Sequence, residues 1–448
     1  MNIIYRTVSK GEINMNKEFI MYQIYPIGFC NAPKENDGIV VSRIKKVMEW
    51  SDYYSDLGID TILFNPIFES DKHGYDTRDF AKIDCRLGTN EDFKEVCSDL
   101  KSKNIRIVLD AVFNHVGRGF WAFQDVIRNR ESSKYREWFY IDFNRNNNNN
   151  DGLFYEGWEG HYDLVKLNLQ NQDVIDHIFE NIKNWINEFD IDGLRLDVAY
   201  CLDKEFLKKL RKYCESIKPD FFILGEVLFG DYSQFVNNDM LHSCTNYECF
   251  KGLFSSFNDM NLFEISHSLN RQFGTDNSAI YKGLNLLKFV DNHDVSRIAT
   301  ILTNKNHLPL VYGLMFGMPG IPCIYYGSEW GQEGDKKVSD YELRPSFDKP
   351  VYNDLSDLIK KLIEIHKENK VLTYGNYRAI SLTNKQLVFE RSFEGEKMII
   401  AINLEATEKE VQMKGHKFKA VDLLSGNDID INDKVDMDGY SMMYLKEM

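Results

Sequence analysis

The chain has 448 residues, of which 43% are hydrophobic and 27% charged, an ordinary globular balance on a chain too long for one small core. Its net charge of −15 repels phosphate backbones, so the composition argues against nucleic acid as a partner. No apolar run reaches the 18 residues that a membrane-spanning helix requires, so we expect no membrane partner.

The cysteines and the start of the chain bear on the compartment. None of the eight cysteines forms a CxxC pair and no histidine cluster accompanies them, which predicts buried free thiols rather than a zinc site. The opening MNIIYRTVSKGEINM lacks the apolar core of a signal peptide, and Met15, just before the first apolar run, is a candidate for the true start. We expect a cytoplasmic protein.

Apolar runs alternate with helical patterns over residues 1–115. A helix over 43–58 is predicted to end at Gly58, and Thr89 with Asp92 forms a possible capping box before the next helix. The predicted strands are 19–26, 60–66 and 105–115.

The alternation stops between residues 116 and 165. This stretch is rich in aromatic residues and contains the run from Asn146 to Asn150, which we expect to be a solvated loop. An insertion of this size after a barrel strand would stand over the active face, so we predict a small inserted domain.

Alternation then resumes, and it changes character again near residue 375. Short β-like runs from 376 onward, RAISL, QLVFERSF, KMIIAINL, KEVQM and MMYLKE, predict a small antiparallel domain over 376–448. We therefore predict a (β/α)₈ TIM barrel formed by 1–115 and 166–375, with 116–165 inserted after its third strand. The remaining predicted strands are 192–197, 221–226, 242–248, 286–291 and 321–327, and the remaining helices are 173–189, 203–217 and 353–369.

Four carboxylates each close an apolar run: Asp110, Asp197, Glu226 and Asp294. In a barrel the carboxyl ends of the strands meet at the catalytic face, so these acids are expected to converge. Clustered acids must be neutralised, protonated or used, and cleavage of a glycosidic bond uses such carboxylates.

Arg195 and Asp197 share one face of a predicted strand because side chains alternate. Arg195 is expected to lower the pKa of Asp197 and keep it ionised, as a glycosyl nucleophile requires. The alternative is a structural ion pair inside the barrel. Burial near Asp197 and Asp294 favours the protonated form of Glu226, which could then act as an acid; the alternative is an acid that caps the next helix.

Asn114-His115 and Asn292-His293-Asp294 place imidazoles at two further strand ends. A metal would need more ligands at close spacing than these segments offer, so we expect no metal. Hydrogen bonding to substrate hydroxyls is the better interpretation, against the alternative of histidines satisfied within the core.

Together these motifs resemble the α-amylase family of retaining glycoside hydrolases. DAVFNH (110–115), GLRLDVAY (193–200), GEVL (225–228) and FVDNHD (289–294) are similar to its four conserved regions, in the same order. KLN (166–168) is similar to a further region at the end of the inserted domain. The resemblance covers about residues 20–375.

The resemblance implies a role for each matching residue. Asp197 would be the nucleophile, Glu226 the acid/base and Asp294 the stabiliser of the transition state, while Asp110 supports the site. Arg195 would orient Asp197, and His115 and His293 would hydrogen-bond the sugar. The remaining expected substrate-binding residues are Tyr75, which would stack beneath the sugar, its neighbour Asp76, and the pair Asp340 and Arg344.

The segment Val198-Ala199-Tyr200 lacks the Lys-His pair of many starch-cleaving amylases and is closer to the neopullulanase, cyclomaltodextrinase and oligosaccharide-glucosidase branches. The resemblance thus implies hydrolysis of α-1,4-linked glucose oligosaccharides, maltodextrins first and cyclodextrins as further candidates, by double displacement. Alternatives are a transglycosylase, an α-1,6, sucrose or trehalose specialist, and a catalytically silent sugar-binding or transporter-partner protein. The dimeric members of those branches have an N-terminal sugar-binding domain before the barrel, which this sequence does not show, so a monomer is expected. The family's calcium site uses an asparagine at the position of Asn114, but we expect no cofactor.

Overall fold

The computed structural model describes residues 18–448, so the candidate start Met15 lies outside the described residues. Eight parallel strands form a nearly closed barrel in the order 6-5-4-3-2-1-8-7, and a single parallel bridge between Thr245 and Leu287 joins strand 6 to strand 7. The predicted barrel is therefore confirmed. Its strands are Met21–Ile24, Thr61–Phe64, Arg106–Ala111, Gly193–Leu196, Phe222–Gly225, Ser243–Cys244, Leu287–Lys288 and Ile321–Tyr325.

Helices surround the barrel, and several begin at side-chain caps. The Thr89–Asp92 capping box is present, and Asn171 and Asp203 cap the next two long helices by accepting hydrogen bonds from backbone N–H groups.

No helix within residues 18–448 has the length and apolar character to cross a membrane. The main helices are Ser51–Leu57, Asn90–Ser102, Gln172–Phe189, Lys204–Ile217, Tyr247–Asn258, Phe263–Phe273, Leu308–Gly317, Asp354–Glu368 and Lys370–Tyr374.

The barrel interior is apolar at the end where the strands begin. Side chains from six of the strands, or from residues flanking them, meet there in a buried cluster that is separate from the larger core between strands and helices. The inward residues of this lower layer include Met21, Leu63, Val108, Leu224, Leu287, Ile321 and Cys323.

The segment after strand 3 forms small sheets. His115–Gly117 pairs with His161–Lys166, which also pairs with Gly157–Trp158, and Ile141–Asp142 pairs with Phe154–Tyr155. A helix, Trp121–Asn129, lies between them in the chain. The first pairing joins the two ends of the insertion; its predicted boundaries at 116 and 165 stay a prediction.

The C-terminal region is an antiparallel sheet, as predicted, but it has six strands rather than five. The strand that sequence reasoning missed is Asp428–Met437, DIDINDKVDM, in which acids alternate with buried Ile431 and Val435. Its polarity concealed a strand with one buried face. The other strands are Asn376–Leu382, Gln386–Phe393, Glu396–Asn403, Lys409–Asp422 and Ser441–Glu447.

Two predicted elements and one statement on the cysteines need correction. The helix over 43–58 is broken into a 3₁₀ turn and two short helices, and strand 6 stops after Cys244 because Asn246 caps a helix that starts at Tyr247. All eight cysteines are free and six are buried, but Cys201 is exposed and Cys85 half-buried.

Candidate active site

The predicted acids follow inward-facing apolar residues of the barrel. Asp110 comes two residues after Val108 and Glu226 two residues after Leu224, so each points inward one layer above the apolar cluster. Gly225, just before Glu226, is needed because a Cβ there would lie 2.4 Å from the Leu241 side chain. The chain alternation thus brings acids to one end of the barrel.

A cavity of about 620 Å³ opens at this end, and Asp197, Glu226 and Asp294 all line it. Four of the predicted substrate-binding residues share its wall: Tyr75, His115, Asp340 and Arg344. The other three, Asp76, Arg195 and His293, do not line it. Arg195 and His293 lie beneath, around a smaller cavity.

Asp76 is buried and supports a turn. Its Oδ1 accepts a hydrogen bond of 3.1 Å from the backbone N–H of His73, which itself lines the cavity. The structure therefore places Asp76 behind the wall.

Arg195 is the hub of the site. Its Nη1 donates to both oxygens of Asp110 and to Asp197 Oδ1, each at 2.8 Å, and its Nη2 lies 2.7 Å from Glu226 Oε1. Arg195 is 3% exposed, so one buried cation serves three carboxylates. Asp110 also accepts hydrogen bonds from Asn65 and from the Tyr75 hydroxyl, which agrees with a supporting role.

Comparison with known proteins identifies the family. The profile described as "Alpha amylase, catalytic domain" matches residues 23–371. The chain belongs to the α-amylase family. It is 31% identical over 413 residues to a cyclomaltodextrinase of Thermoanaerobacter pseudethanolicus, covering 86% of this chain and 70% of that protein. It is also 31% identical over 411 residues to an intracellular maltogenic amylase of Bacillus subtilis, covering 86% and 68%.

The solved structures agree with the family. A cyclic α-maltosyl-(1→6)-maltose hydrolase from Arthrobacter globiformis, in complex with maltose, superposes with a TM-score of 0.83 at 26% identity, covering 97% of this chain and all of that one. The expected resemblance is confirmed, and this α-amylase-family protein is an enzyme, a glycoside hydrolase.

The pKa of Asp197 is set by burial and by the charges around it. Burial raises the pKa of Asp197 well above its ordinary value, and Arg195 opposes this without overcoming it, because Glu226, Asp110 and Asp294 add negative charge. Arg195 lowers the pKa of Asp197, as expected, but its charge is shared with Glu226 and Asp110.

Asp294 has the opposite shift. Burial alone would raise its pKa, but His293, Arg344 and Arg195 together lower it below the ordinary value. His293 Nε2 lies 2.9 Å from Asp294 Oδ2, and Arg344 Nη2 lies 3.1 Å from Oδ1. Asp294 is thus an ionised carboxylate beside a cavity, able to stabilise positive charge.

His115 offers a free hydrogen-bonding atom to the cavity. Burial, with the neighbouring His73, lowers the pKa of His115 to about 3, so the imidazole is neutral. Asn114 Nδ2 lies 3.2 Å from Nδ1, whereas Nε2 is buried with no partner within residues 18–448 and lies 4.0 Å from Asp197 Oδ2. His293, by contrast, is already bonded to Gln23, Asp294 and Tyr75.

Backbone strain accompanies the site. Val198, directly after Asp197, has φ of 39°, in the left-handed region that a β-branched residue rarely adopts. Its N–H donates to Glu226 Oε2 at 3.1 Å. This hydrogen bond connects Glu226 to the strained residue that directly follows Asp197.

Sequence reasoning missed several cavity residues. Trp158 and His161 come from the inserted segment. The sequence shows that this segment is rich in aromatic residues, but it does not indicate which of its residues line the cavity. Tyr247 gave no signal, because it lies in a run predicted as strand. Further cavity residues are His73, Leu164, Tyr200, Leu228, Val295, Lys336 and Tyr341.

The candidate metal-ligand groups and the surroundings of Asn114 bear on the expectation that the enzyme binds no calcium. Within residues 18–448 the one group of three candidate ligands within 4.8 Å of one another is Glu69, Asp84 and Cys85, which does not include the acids of the cavity. Asp84 there is paired with Arg86 at 2.6 Å. The side-chain amide of Asn114 faces His115. The expectation that the enzyme has no cofactor stays a prediction.

Proposed function

We propose that this enzyme is a retaining α-glycosidase that hydrolyses α-1,4-linked glucose oligosaccharides. The observation that carries the proposal is that Asp197, Glu226 and Asp294 line one cavity, with Asp197 and Glu226 sharing the guanidinium of Arg195. The names of the relatives, cyclomaltodextrinase and maltogenic amylase, support maltodextrins and cyclodextrins as substrates.

The mechanism is double displacement. Asp197 attacks the anomeric carbon and forms a C–O bond, while the bond to the leaving oxygen breaks and that oxygen takes the proton of Glu226. Water then attacks the same carbon, gives a proton to Glu226 and releases Asp197. Asp294 stabilises the positive charge that develops on the sugar ring. His115 Nε2 and Arg344 are placed to bind its hydroxyls, and the chemistry requires no cofactor.

The experiment is hydrolysis of maltotriose, followed by proton NMR of the first product anomer. Retention gives the α-anomer first, and a β-anomer would contradict the proposal. Replacing Asp197 by Asn or Glu226 by Gln should lower kcat by roughly 10⁴-fold or more. The matched control is Asp192→Asn, which removes a carboxylate bonded to Lys101 and Lys218 outside the cavity. Normal turnover by Asp197→Asn would refute the assignment.

A substrate panel separates the alternatives. A solved neighbour is named for a (1→6)-linked substrate, so isomaltose and pullulan belong in the panel beside maltotriose, cyclodextrin, sucrose and trehalose. Longer products from maltotriose would indicate transglycosylation. We further propose a cytoplasmic location, supported by the intracellular relative, while the monomeric state stays a prediction.

A further inference from the structure

Tyr247 reaches the candidate acid Glu226 from the neighbouring strand, because strand 6 pairs with strand 5. It is the first residue of the helix Tyr247–Asn258, and its position is fixed by the closure of the barrel, where Thr245 N–H bonds to Gly225 O and Asn246 N–H to Leu287 O. Its ring packs edge-on against Phe289 at 5.0 Å. The hydroxyl therefore enters the cavity from a rigid base.

The hydroxyl belongs to a chain of hydrogen bonds that all point toward Glu226. The backbone N–H of Asp294 donates to Asn292 Oδ1 at 2.8 Å, and Asn292 Nδ2 donates to the Tyr247 oxygen at 3.0 Å. Because that oxygen already accepts from the amide, its own proton is free to donate to Glu226 Oε1, at 3.4 Å. Such bonds are often long in an empty site and shorten when substrate binds.

The two oxygens of Glu226 then differ. Oε1 lies 2.7 Å from Arg195 Nη2 and accepts from the Tyr247 hydroxyl, while Oε2 accepts only from the N–H of Val198. A proton on Oε1 would compete with two neighbouring donors. Oε2 therefore has the free position for the proton.

We propose that Tyr247 is a positioning residue that directs the acid proton of Glu226 to Oε2 and stabilises the carboxylate left when that proton is transferred. The inference rests on the function proposed above. In the first step the proton moves from Oε2 to the leaving oxygen, negative charge spreads to Oε1, and the Tyr247 hydroxyl bond strengthens. Tyr247 keeps its own proton throughout.

Its surroundings keep the hydroxyl a donor. Burial, with Glu226 and Asp294 nearby, raises the pKa of Tyr247 well above its ordinary value. Other titratable or charged groups around Glu226 come from three places. Arg195 lies in strand 4, Asp197 and Tyr200 lie in the loop after strand 4, and His293 and Asp294 lie in the loop after strand 7.

The test is Tyr247→Phe, which keeps the ring packing and removes only the hydroxyl. With maltotriose we expect kcat to fall about tenfold with little change in KM, since one hydrogen bond to a charged group is lost. The alkaline limb of the pH–rate profile should move to higher pH by roughly half a unit to one unit, because the ionised form of Glu226 loses a donor. With α-maltosyl fluoride, whose leaving group needs no proton, kcat should change less than about threefold.

A matched control is Tyr54→Phe, which removes a buried hydroxyl that has no hydrogen-bond partner within residues 18–448. It should leave both kcat and the pH profile unchanged. An unmoved alkaline limb in Tyr247→Phe, with equal losses on both substrates, would overturn the proposal.

A second variant guards against misfolding. Asn292→Asp keeps the acceptor for Asp294 N–H but removes the amide donor, so the Tyr247 hydroxyl turns toward position 292 and the alkaline limb should again move upward. If it does not, the relay is wrong. Full activity of Asp197→Asn would instead refute the proposed function, so the two failures are distinguishable.

Discussion

The lower and upper layers of the barrel interior are built on opposite principles. The lower layer is apolar, with Leu63, Leu224 and Ile321 all at most 2% exposed. Two residues further along the strands, the same inward face carries Asp110 and Glu226, which surround a single guanidinium. One layer resembles a domain core; the other concentrates like charges out of water.

The difference shows where the fold is stabilised and where it is used. Burying apolar side chains contributes roughly 1.5–3 kcal/mol each, whereas buried ion pairs seldom return their desolvation cost. The upper layer also contains the strained Val198 and the unpartnered Nε2 of His115. We infer that the lower layer supports a site that is costly in itself.

Removing the shared cation should have the largest effect. Arg195→Leu leaves three buried carboxylates without their shared cation, so we expect activity to be lost and the free energy of unfolding to fall by roughly 3–5 kcal/mol. The loss should be larger at pH 8 than at pH 5, because protonation relieves the repulsion. Urea unfolding at both pH values measures this.

The matched control for that prediction is Arg391→Leu. Arg391 is also fully buried, but its guanidinium donates to the backbone carbonyls of Gly317 and Gly375. Its loss should destabilise the protein about equally at the two pH values. The same pH dependence in both variants would remove the contrast between the layers.

A change in the lower layer should act on stability alone. Ile321→Ala deletes a buried side chain at the start of strand 8, with an expected loss of roughly 2–5 kcal/mol. Turnover of maltotriose by the folded fraction should stay within about threefold of the unchanged enzyme, since the cavity wall is intact. A loss of kcat as large as in Arg195→Leu would show that the layers are not independent.

The barrel could be predicted because its signals are local. Apolar runs that end in acids, the Thr89 capping box and the stop at Gly58 are each encoded within a few residues. Strand 6 and the strand Asp428–Met437 were harder to predict. In strand 6, the closure of the barrel ends the strand before the predicted run 242–248 is complete. In Asp428–Met437, only one face of the strand is buried.

The candidate site was predictable in its acids but not in its connections. Asp197, Glu226 and Asp294 follow from strand ends, whereas the sharing of Arg195 among three acids depends on side chains from different strands. Asp76 was expected in the wall and lies behind it, because its neighbour His73 takes that place. Tyr247 was missed because its contact with Glu226 joins the ends of two different strands.

The smallest expected effect concerns Glu329, a buried acid with no ion-pair partner among the described residues, in contrast to the acids that share Arg195. It lies outside the barrel, where its Oε1 accepts from the hydroxyls of Tyr22 and Tyr53 and its Oε2 has no partner within residues 18–448. Burial raises the pKa of Glu329 from 4.5 to about 7. A cluster served by a cation and an acid without one should therefore respond to pH in different ways.

For a carboxyl whose pKa is raised on folding, the folded state binds more protons, so its stabilisation is complete below pH 4.5 and is lost as pH rises to about 7. Glu329→Gln remains neutral, so its stability relative to the unchanged protein should increase by at most about 3 kcal/mol between pH 4.5 and 8. The exposed Glu364→Gln should show no such change. If the free energies of unfolding of Glu329→Gln and of the unchanged protein changed in parallel with pH, contacts other than those from the two tyrosines would have to stabilise the ionised form of Glu329.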